Sequence, residues 1–140
     1  MNEKNECLNR KKDMLSILWI FLSLNYILCD VLSNMEASVL KDLITGNVAG
    51  IEMNQGFLLI AGISLELPFI MIILSKVLKY KLNRIINIII GALMIVYQIG
   101  SFFAGTAPSL HYIFFSIIEI ITNFIIIIYA YNWKNNNDID

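Results

Sequence analysis

Two glutamates stand inside apolar stretches that are long enough to cross a membrane. Glu66 lies in the run from Gly56 to Ser75, and Glu119 lies in the run from Leu110 to Tyr131. A carboxylate in hydrocarbon is costly, and no Lys or Arg lies inside either run to offset its charge. The two acids would also repel each other, so we expect at least one to be protonated near neutral pH and the pair to titrate together. Such groups can accept hydrogen bonds from a ligand or exchange protons.

Other polar side chains fall at a similar depth. At a helical rise of about 1.5 Å per residue, four of them lie about 10–15 Å from the same end of their apolar runs: Asn25, Glu66, Gln98 and Glu119. Polar groups in an apolar solvent turn inward and pair, so we expect one polar layer in a shared interior, supplied by all four runs. Each run also carries polar residues at helical spacing, which form a stripe along one face, and the remaining candidates for ligand binding or proton handling lie on or beside these stripes: Tyr26, Asp30, Tyr97, His111 and Asn123.

Four apolar runs must position these side chains. They span about 14–34, 56–75, 85–104 and 110–131, and each has roughly the 20 residues that a helix needs to cross a hydrocarbon core about 30 Å thick. The chain has 140 residues, of which 58% are hydrophobic, well above the usual content of soluble domains. We therefore predict an all-α, integral membrane four-helix bundle that forms one domain over residues 1–140.

The 35–55 connection is the only long one. Apolar residues recur at helical spacing from Met35 to Ile44, and Gly46 is a suitable C-terminal stop. This pattern predicts a short amphipathic interfacial helix between the first two spans, followed by a looser segment over 46–50. Two roles stay open for it: covering the mouth of the bundle, or resting on lipid headgroups.

The basic residues indicate the topology. Nine of the ten Lys and Arg fall in 4–12, in 76–84 and at Lys134. By the positive-inside rule, the tails 1–13 and 132–140 are cytoplasmic and the 35–55 connection is outside, in a multi-pass protein of the cell (plasma) membrane. The net charge of −1 is nearly balanced and points to no nucleic acid partner.

The chain has few side chains that could ligate a haem or a metal ion. One histidine cannot supply bis-histidine haem ligation, and a histidine with scattered acids is a weak metal signal, so we predict no cofactor and no metal site. Cys7 and Cys29 lie about 33 Å apart along one helix and cannot form a disulfide with each other.

Several short motifs resemble an uncharacterised family of small bacterial four-span membrane proteins, a domain of unknown function. The likeness covers roughly residues 14–134. It is carried by Leu18-Trp19-Ile20-Phe21, Leu24-Asn25-Tyr26, Asp30, Leu65-Glu66-Leu67-Pro68, Leu78-Lys79-Tyr80, Asn83-Arg84, Leu110-His111-Tyr112-Ile113-Phe114-Phe115 and Glu119. The family implies no activity. The arrangement also looks like the DoxX-type four-helix membrane fold, an analogy of architecture that does not transfer function.

Three functions fit the sequence. In the first, the polar layer binds or transports a small, partly apolar ligand with proton exchange. In the second, the network only holds the bundle together in an accessory protein, whose partners are lipid, a second copy or another membrane protein. In the third, the chain is an enzyme that modifies lipid, which requires His111 within hydrogen-bond reach of an acid.

Overall fold

The computed structural model describes residues 3–48, 50–103 and 108–133. The helices are α1 (Glu3–Asn34), α2 (Ala37–Thr45), α3 (Gln55–Val77), α4 (Tyr80–Ser101) and α5 (Leu110–Tyr131). Two short antiparallel strands, β1 (Asn47–Val48) and β2 (Ile51–Glu52), form a hairpin between α2 and α3. By length and composition, α1, α3, α4 and α5 could each cross a membrane. The predicted all-α architecture with a short helix between the first two spans is confirmed.

The central helix of the bundle is α1. It packs along α3 on one side and α5 on another, and α4 packs along α5, whereas α3 and α4 make few contacts with each other. We call the end with the α3–α4 turn the basic end and the opposite end the hairpin end. The core runs along α1 and is completed by the other three long helices: Leu15, Trp19, Leu22, Tyr26, Met71, Met94, Ile126, Ala130 and Trp133.

Two helices differ from the predicted spans. Helix α1 begins at Glu3, so most of the predicted tail 1–13 is helical, and α4 covers Tyr80–Ser101 rather than 85–104. An apolar run marks only the part of a helix that suits hydrocarbon, and polar helical turns extend past it into the interface. Only two residues, Leu78 and Lys79, separate α3 from α4, and both have extended backbone angles. Ala104 lies outside the described residues.

The connection between the first two spans is more ordered than predicted. Helix α2 ends at Gly46, whose φ of 76° is the left-handed conformation expected of a glycine stop. The segment expected to be loose contains β1, which pairs with β2. Helix α2 has no buried residue, so its apolar side lies on the surface, where lipid would meet it. Asn54 then caps α3 by accepting a 2.9 Å hydrogen bond from the amide of Phe57.

The basic end is fastened by contacts between helices. Lys76 forms a 2.5 Å ion pair with Asp13, and the Tyr80 hydroxyl donates a hydrogen bond to the carbonyl of Trp133. The ammonium of Lys11 lies 4.1 Å from the centre of the Tyr129 ring. These contacts tie α1 to α3 and α5, and the start of α4 to the segment just after α5.

Candidate functional site

Glu119 is a buried acid without a hydrogen-bond partner for one of its oxygens. Its side chain lies in the middle of α5 and is 1% exposed, and its Oε1 accepts no hydrogen bond from the residues that the structure describes. One turn along α5, Asn123 is fully buried, and its Oδ1 also lacks a partner within the described part of the chain. Buried polar atoms in folded proteins are normally paired, so two adjacent unpaired acceptors are unusual. They form the centre of the candidate site.

The amide nitrogen of Asn123 is fully used. It donates a 3.0 Å hydrogen bond to the carbonyl of Glu119 and a 3.3 Å bond to the Tyr26 hydroxyl on α1. These two bonds turn Nδ2 toward the backbone and α1, which leaves Oδ1 as the free end of the amide. The site therefore offers acceptors rather than donors.

A second acid on a neighbouring helix acts electrostatically on Glu119. Asp30 on α1 is close enough for its charge to act on the Glu119 carboxyl and on the Tyr97 hydroxyl of α4. Asp30 is exposed, and Tyr97 is 51% exposed. The site is therefore buried at Glu119 and open where Asp30 and Tyr97 lie. Three helices, α1, α4 and α5, contribute to it.

Two predicted members of the polar layer, Gln98 and Asn25, form hydrogen bonds with groups other than Glu119 and Asn123. Gln98 donates a 2.6 Å hydrogen bond to the hydroxyl of Ser116 and so joins α4 to α5. Asn25 donates a 2.8 Å bond to the carbonyl of Phe21 in its own helix. Both side chains are buried, as predicted. Gln98 thus links two helices, while the bond of Asn25 stays within α1.

His111 has hydroxyl partners. Its Nε2 lies 3.2 Å from the Ser33 hydroxyl, and its Nδ1 lies 3.1 Å from the Ser109 hydroxyl. Among the described residues, no carboxylate comes within hydrogen-bond distance of the ring. The Glu–His pair that a lipid-modifying enzyme would need is not formed in this structure.

Glu66 does not belong to the same layer, and the prediction that α3 supplies this acid to the polar layer of the interior is wrong. Its side chain is exposed. Helix α3 buries the face that carries Pro68, Met71 and Ser75, and this turns Glu66 away from the other helices. Because α3 is apolar on every side, its periodicity carries little information about which face packs inward. The position of Glu66 along α3 therefore did not indicate which face of the helix carries it.

The sequence profile of a family of unknown function (DUF6326) matches residues 3–139. The chain belongs to this family. The predicted resemblance to a domain of unknown function is thereby confirmed. No curated protein and no solved structure matches the chain. The function of the DUF6326 family is unknown, so the side chains of the site are the basis for inferring a function.

One polar cluster in this DUF6326 protein was not among the predicted site residues. Near the basic end, Asn87 accepts hydrogen bonds from the indole of Trp19 at 2.6 Å and from the Ser75 hydroxyl at 3.3 Å. It donates to Oδ1 of Asn83 at 2.7 Å, and Asn83 donates to the carbonyl of Ser75 at 2.7 Å. The polar stripes of α1 and α4 signal this cluster. Its groups are paired with one another, which favours a structural role.

Two further features could mark a site for a metal or a ligand: clusters of metal-binding side chains and a groove on the surface. Within the described residues of the DUF6326 chain, no group of three or more His, Cys, Asp or Glu side chains could hold a metal ion. A groove at the basic end is lined by Tyr80, Lys81, Arg84, Ile85, Ile88 and Tyr131. Its basic and aromatic side chains suit the headgroup region of a membrane. The groove lies at the opposite end of α4 from Tyr97.

Proposed function

We propose that this chain is a multi-pass protein of the cell membrane, with both termini cytoplasmic, that binds a small, partly apolar ligand beside Glu119 and releases a proton in exchange for it. The observation that carries the proposal is the unpaired, buried Oε1 of Glu119. An acid kept in this position without a partner is costly for folding. Ionisable groups inside membrane spans are functional candidates for that reason.

The free groups indicate the chemistry of the ligand. Glu119 and Asn123 each present an unpaired acceptor, and Asp30 adds a carboxyl group nearby. No Lys or Arg lies in the apolar runs that form the site. A ligand that donates hydrogen bonds or carries positive charge would satisfy these acceptors, whereas an anion would be repelled. An ammonium group attached to an apolar body fits best.

Proton exchange follows from the same arrangement. With no ligand bound, a proton on Glu119 removes the cost of a buried carboxylate. A bound ammonium group supplies the positive charge instead, so the proton can leave. Binding of a cation and release of a proton then become one exchange reaction. The exposed side of the site, at Asp30 and Tyr97, gives both partners a route in and out.

The test uses purified protein and a matched pair of probes. Binding of 2-phenylethylammonium to the wild type should release about one proton per molecule and weaken as pH falls, whereas 3-phenylpropionate of similar size should not bind. Glu119→Gln should lose the proton release. If the glutamine variant releases as many protons as the wild type, or if the anion binds as well as the cation, the proposal is wrong.

A structural function is the second candidate, favoured by the paired cluster around Asn87. In that case the buried polar groups only hold the bundle together in an accessory membrane protein. Thermal unfolding in detergent separates the two proposals. A purely structural Glu119 predicts that Glu119→Gln lowers the unfolding midpoint, whereas the binding proposal predicts no loss, because Oε1 makes no bond to lose.

A further inference from the structure

Glu66 is exposed at the midpoint of a helix that could cross a membrane. Helix α3 runs from Gln55 to Val77, so Glu66 is as far from one end as from the other. Exposure in the middle of a span means contact with lipid hydrocarbon rather than with water. This position is unlike that of Asp30, which lies within the last two turns of α1.

The side chain points straight out of the bundle. At about 100° per residue, the buried residues Pro68, Met71 and Ser75 lie about 200°, 140° and 180° around the helix from Glu66. Because α3 packs on α1 through that buried face, Glu66 occupies the opposite face. Rotation of α3 to bury Glu66 would expose Pro68, Met71 and Ser75 instead.

The outward face of α3 is apolar and open around the acid. Ile63, Ile70 and Ile73 are exposed on it, and Gly62 lies one turn from Glu66. A Cβ added at Gly62 would meet nothing within 4 Å in the part of the chain that the structure describes. Small residues at such a position let a second helix approach closely in a membrane. We call the face formed by Gly62, Glu66 and Ile73 the outward face.

A carboxyl group on this face needs a partner from outside the chain. Facing hydrocarbon, it has no water to bond with, and an unsatisfied polar group there is costly. The outward face carries no other polar side chain within one turn of it, since Gly62, Ile63, Phe69 and Ile70 are its neighbours. Lipid headgroups lie about half a bilayer away from the midpoint.

We propose that the outward face of α3 is the contact surface for a second copy of this chain, with the two Glu66 carboxyl groups paired across a two-fold axis. Two copies inserted in the same direction bring their α3 helices together parallel, which places Glu66 opposite Glu66 at one depth. Each neutral carboxyl group has one donor and one free acceptor, so two of them satisfy each other fully. No other component is needed, whereas a different partner protein would need a buried donor or cation at the same depth.

Cysteine cross-linking tests the geometry. The starting variant replaces the two natural cysteines, Cys7 and Cys29, by serine. Ile73 lies two turns from Glu66 on the outward face and is 65% exposed, so Ile73→Cys places a thiol at the proposed interface. Leu24 on α1 is 54% exposed, so Leu24→Cys is a matched control outside the interface. On oxidation in membranes, the Ile73→Cys variant should form a covalent dimer and the Leu24→Cys variant should not. Equal cross-linking of the two variants would overturn the proposal.

The dimer equilibrium tests the role of the acid. In lipid vesicles, labelled monomers diluted over a range of protein-to-lipid ratios give a dissociation constant by energy transfer. Glu66→Leu should raise this constant about tenfold, which corresponds to about 1.4 kcal/mol, within the range of polar contacts between membrane helices. Glu66→Gln should retain most of the affinity, because two amides can also pair. Glu66 is exposed in the monomer, so thermal unfolding of each variant at high dilution should match the wild type. An unchanged dissociation constant for Glu66→Leu would refute the pairing.

Discussion

The indole Nε1 of Trp19 donates a 2.6 Å hydrogen bond to Oδ1 of Asn87, and both side chains are fully buried. Trp19 lies on α1 and Asn87 on α4, two helices that mainly contact others: α1 packs on α3 and α5, and α4 packs on α5. The bond therefore closes the bundle across its centre near the basic end. A Trp is tolerated in such a core because its one polar atom has a partner.

Replacing Asn87 should destabilise the bundle. Asn87→Ala leaves the Trp19 N–H and the Ser75 hydroxyl without their acceptor in a dry interior. Loss of a partner for a buried donor costs about 1–3 kcal/mol. We expect a lower unfolding midpoint in detergent, measured by circular dichroism. Ser64→Ala is the control, because among the described residues the Ser64 hydroxyl bonds only the carbonyl of Ile60 in its own helix. Equal midpoints for the two variants would show that the Trp19–Asn87 bond contributes nothing.

Gly91 should be intolerant of a side chain, because it lies where α4 meets α5. A Cβ at Gly91 would lie 2.9 Å from Cγ1 of Ile127, closer than real Cβ atoms approach. Gly91→Ala should therefore cost about 1–3 kcal/mol through overpacking. In a variant that also carries Ile127→Ala, the added cost should largely vanish. Additive losses in the double variant would contradict this contact.

Gly100 provides the matched control on the same helix. A Cβ there would meet no atom of the described residues within 4 Å, so Gly100→Ala should be neutral or stabilise α4 by up to about 1 kcal/mol through helix propensity. Gly91→Ala should thus lower the unfolding midpoint, whereas Gly100→Ala should leave it unchanged or raise it.

The fold followed from the sequence because hydropathy and length alone identify helices that are long and apolar enough to cross a membrane. Helices α3 and α5 lie within a residue or two of the predicted 56–75 and 110–131, and Gly46 ends α2 as expected. The site was only partly predictable. Glu119 and Asn123 share a stripe with buried residues of α5, and the alternation of polar and apolar residues on that helix marks its inward face. Helix α3 has no such alternation, so the direction of Glu66 depended on packing with α1, which depth cannot indicate.

Glu119 should lower the free energy of unfolding, because the unpaired carboxyl oxygen that we propose for ligand binding is buried. A buried carboxyl oxygen without a partner is unfavourable, and an apolar side chain of similar size removes that cost. Glu119→Met should therefore raise the unfolding midpoint while abolishing the proton release described above. Asn25→Leu is a suitable comparison, since Asn25 bonds only its own helix as far as the described residues show. A midpoint that falls in Glu119→Met would indicate a structural contact at Glu119 instead.

The two natural cysteines allow the predicted membrane orientation to be tested by thiol labelling, without the introduction of new cysteines. Cys7 is exposed on the first turns of α1, at the basic end, whereas Cys29 is buried near the hairpin end. A maleimide that cannot cross membranes should label Cys7 in inside-out vesicles and leave it unlabelled in intact cells, if the basic end is cytoplasmic as the positive-inside rule predicts. Cys7→Ser should remove the signal, because Cys29 is shielded by its neighbours. Labelling of Cys7 in intact cells would reverse the predicted orientation and place the openings at Asp30 and Tyr97 nearer the cytoplasm.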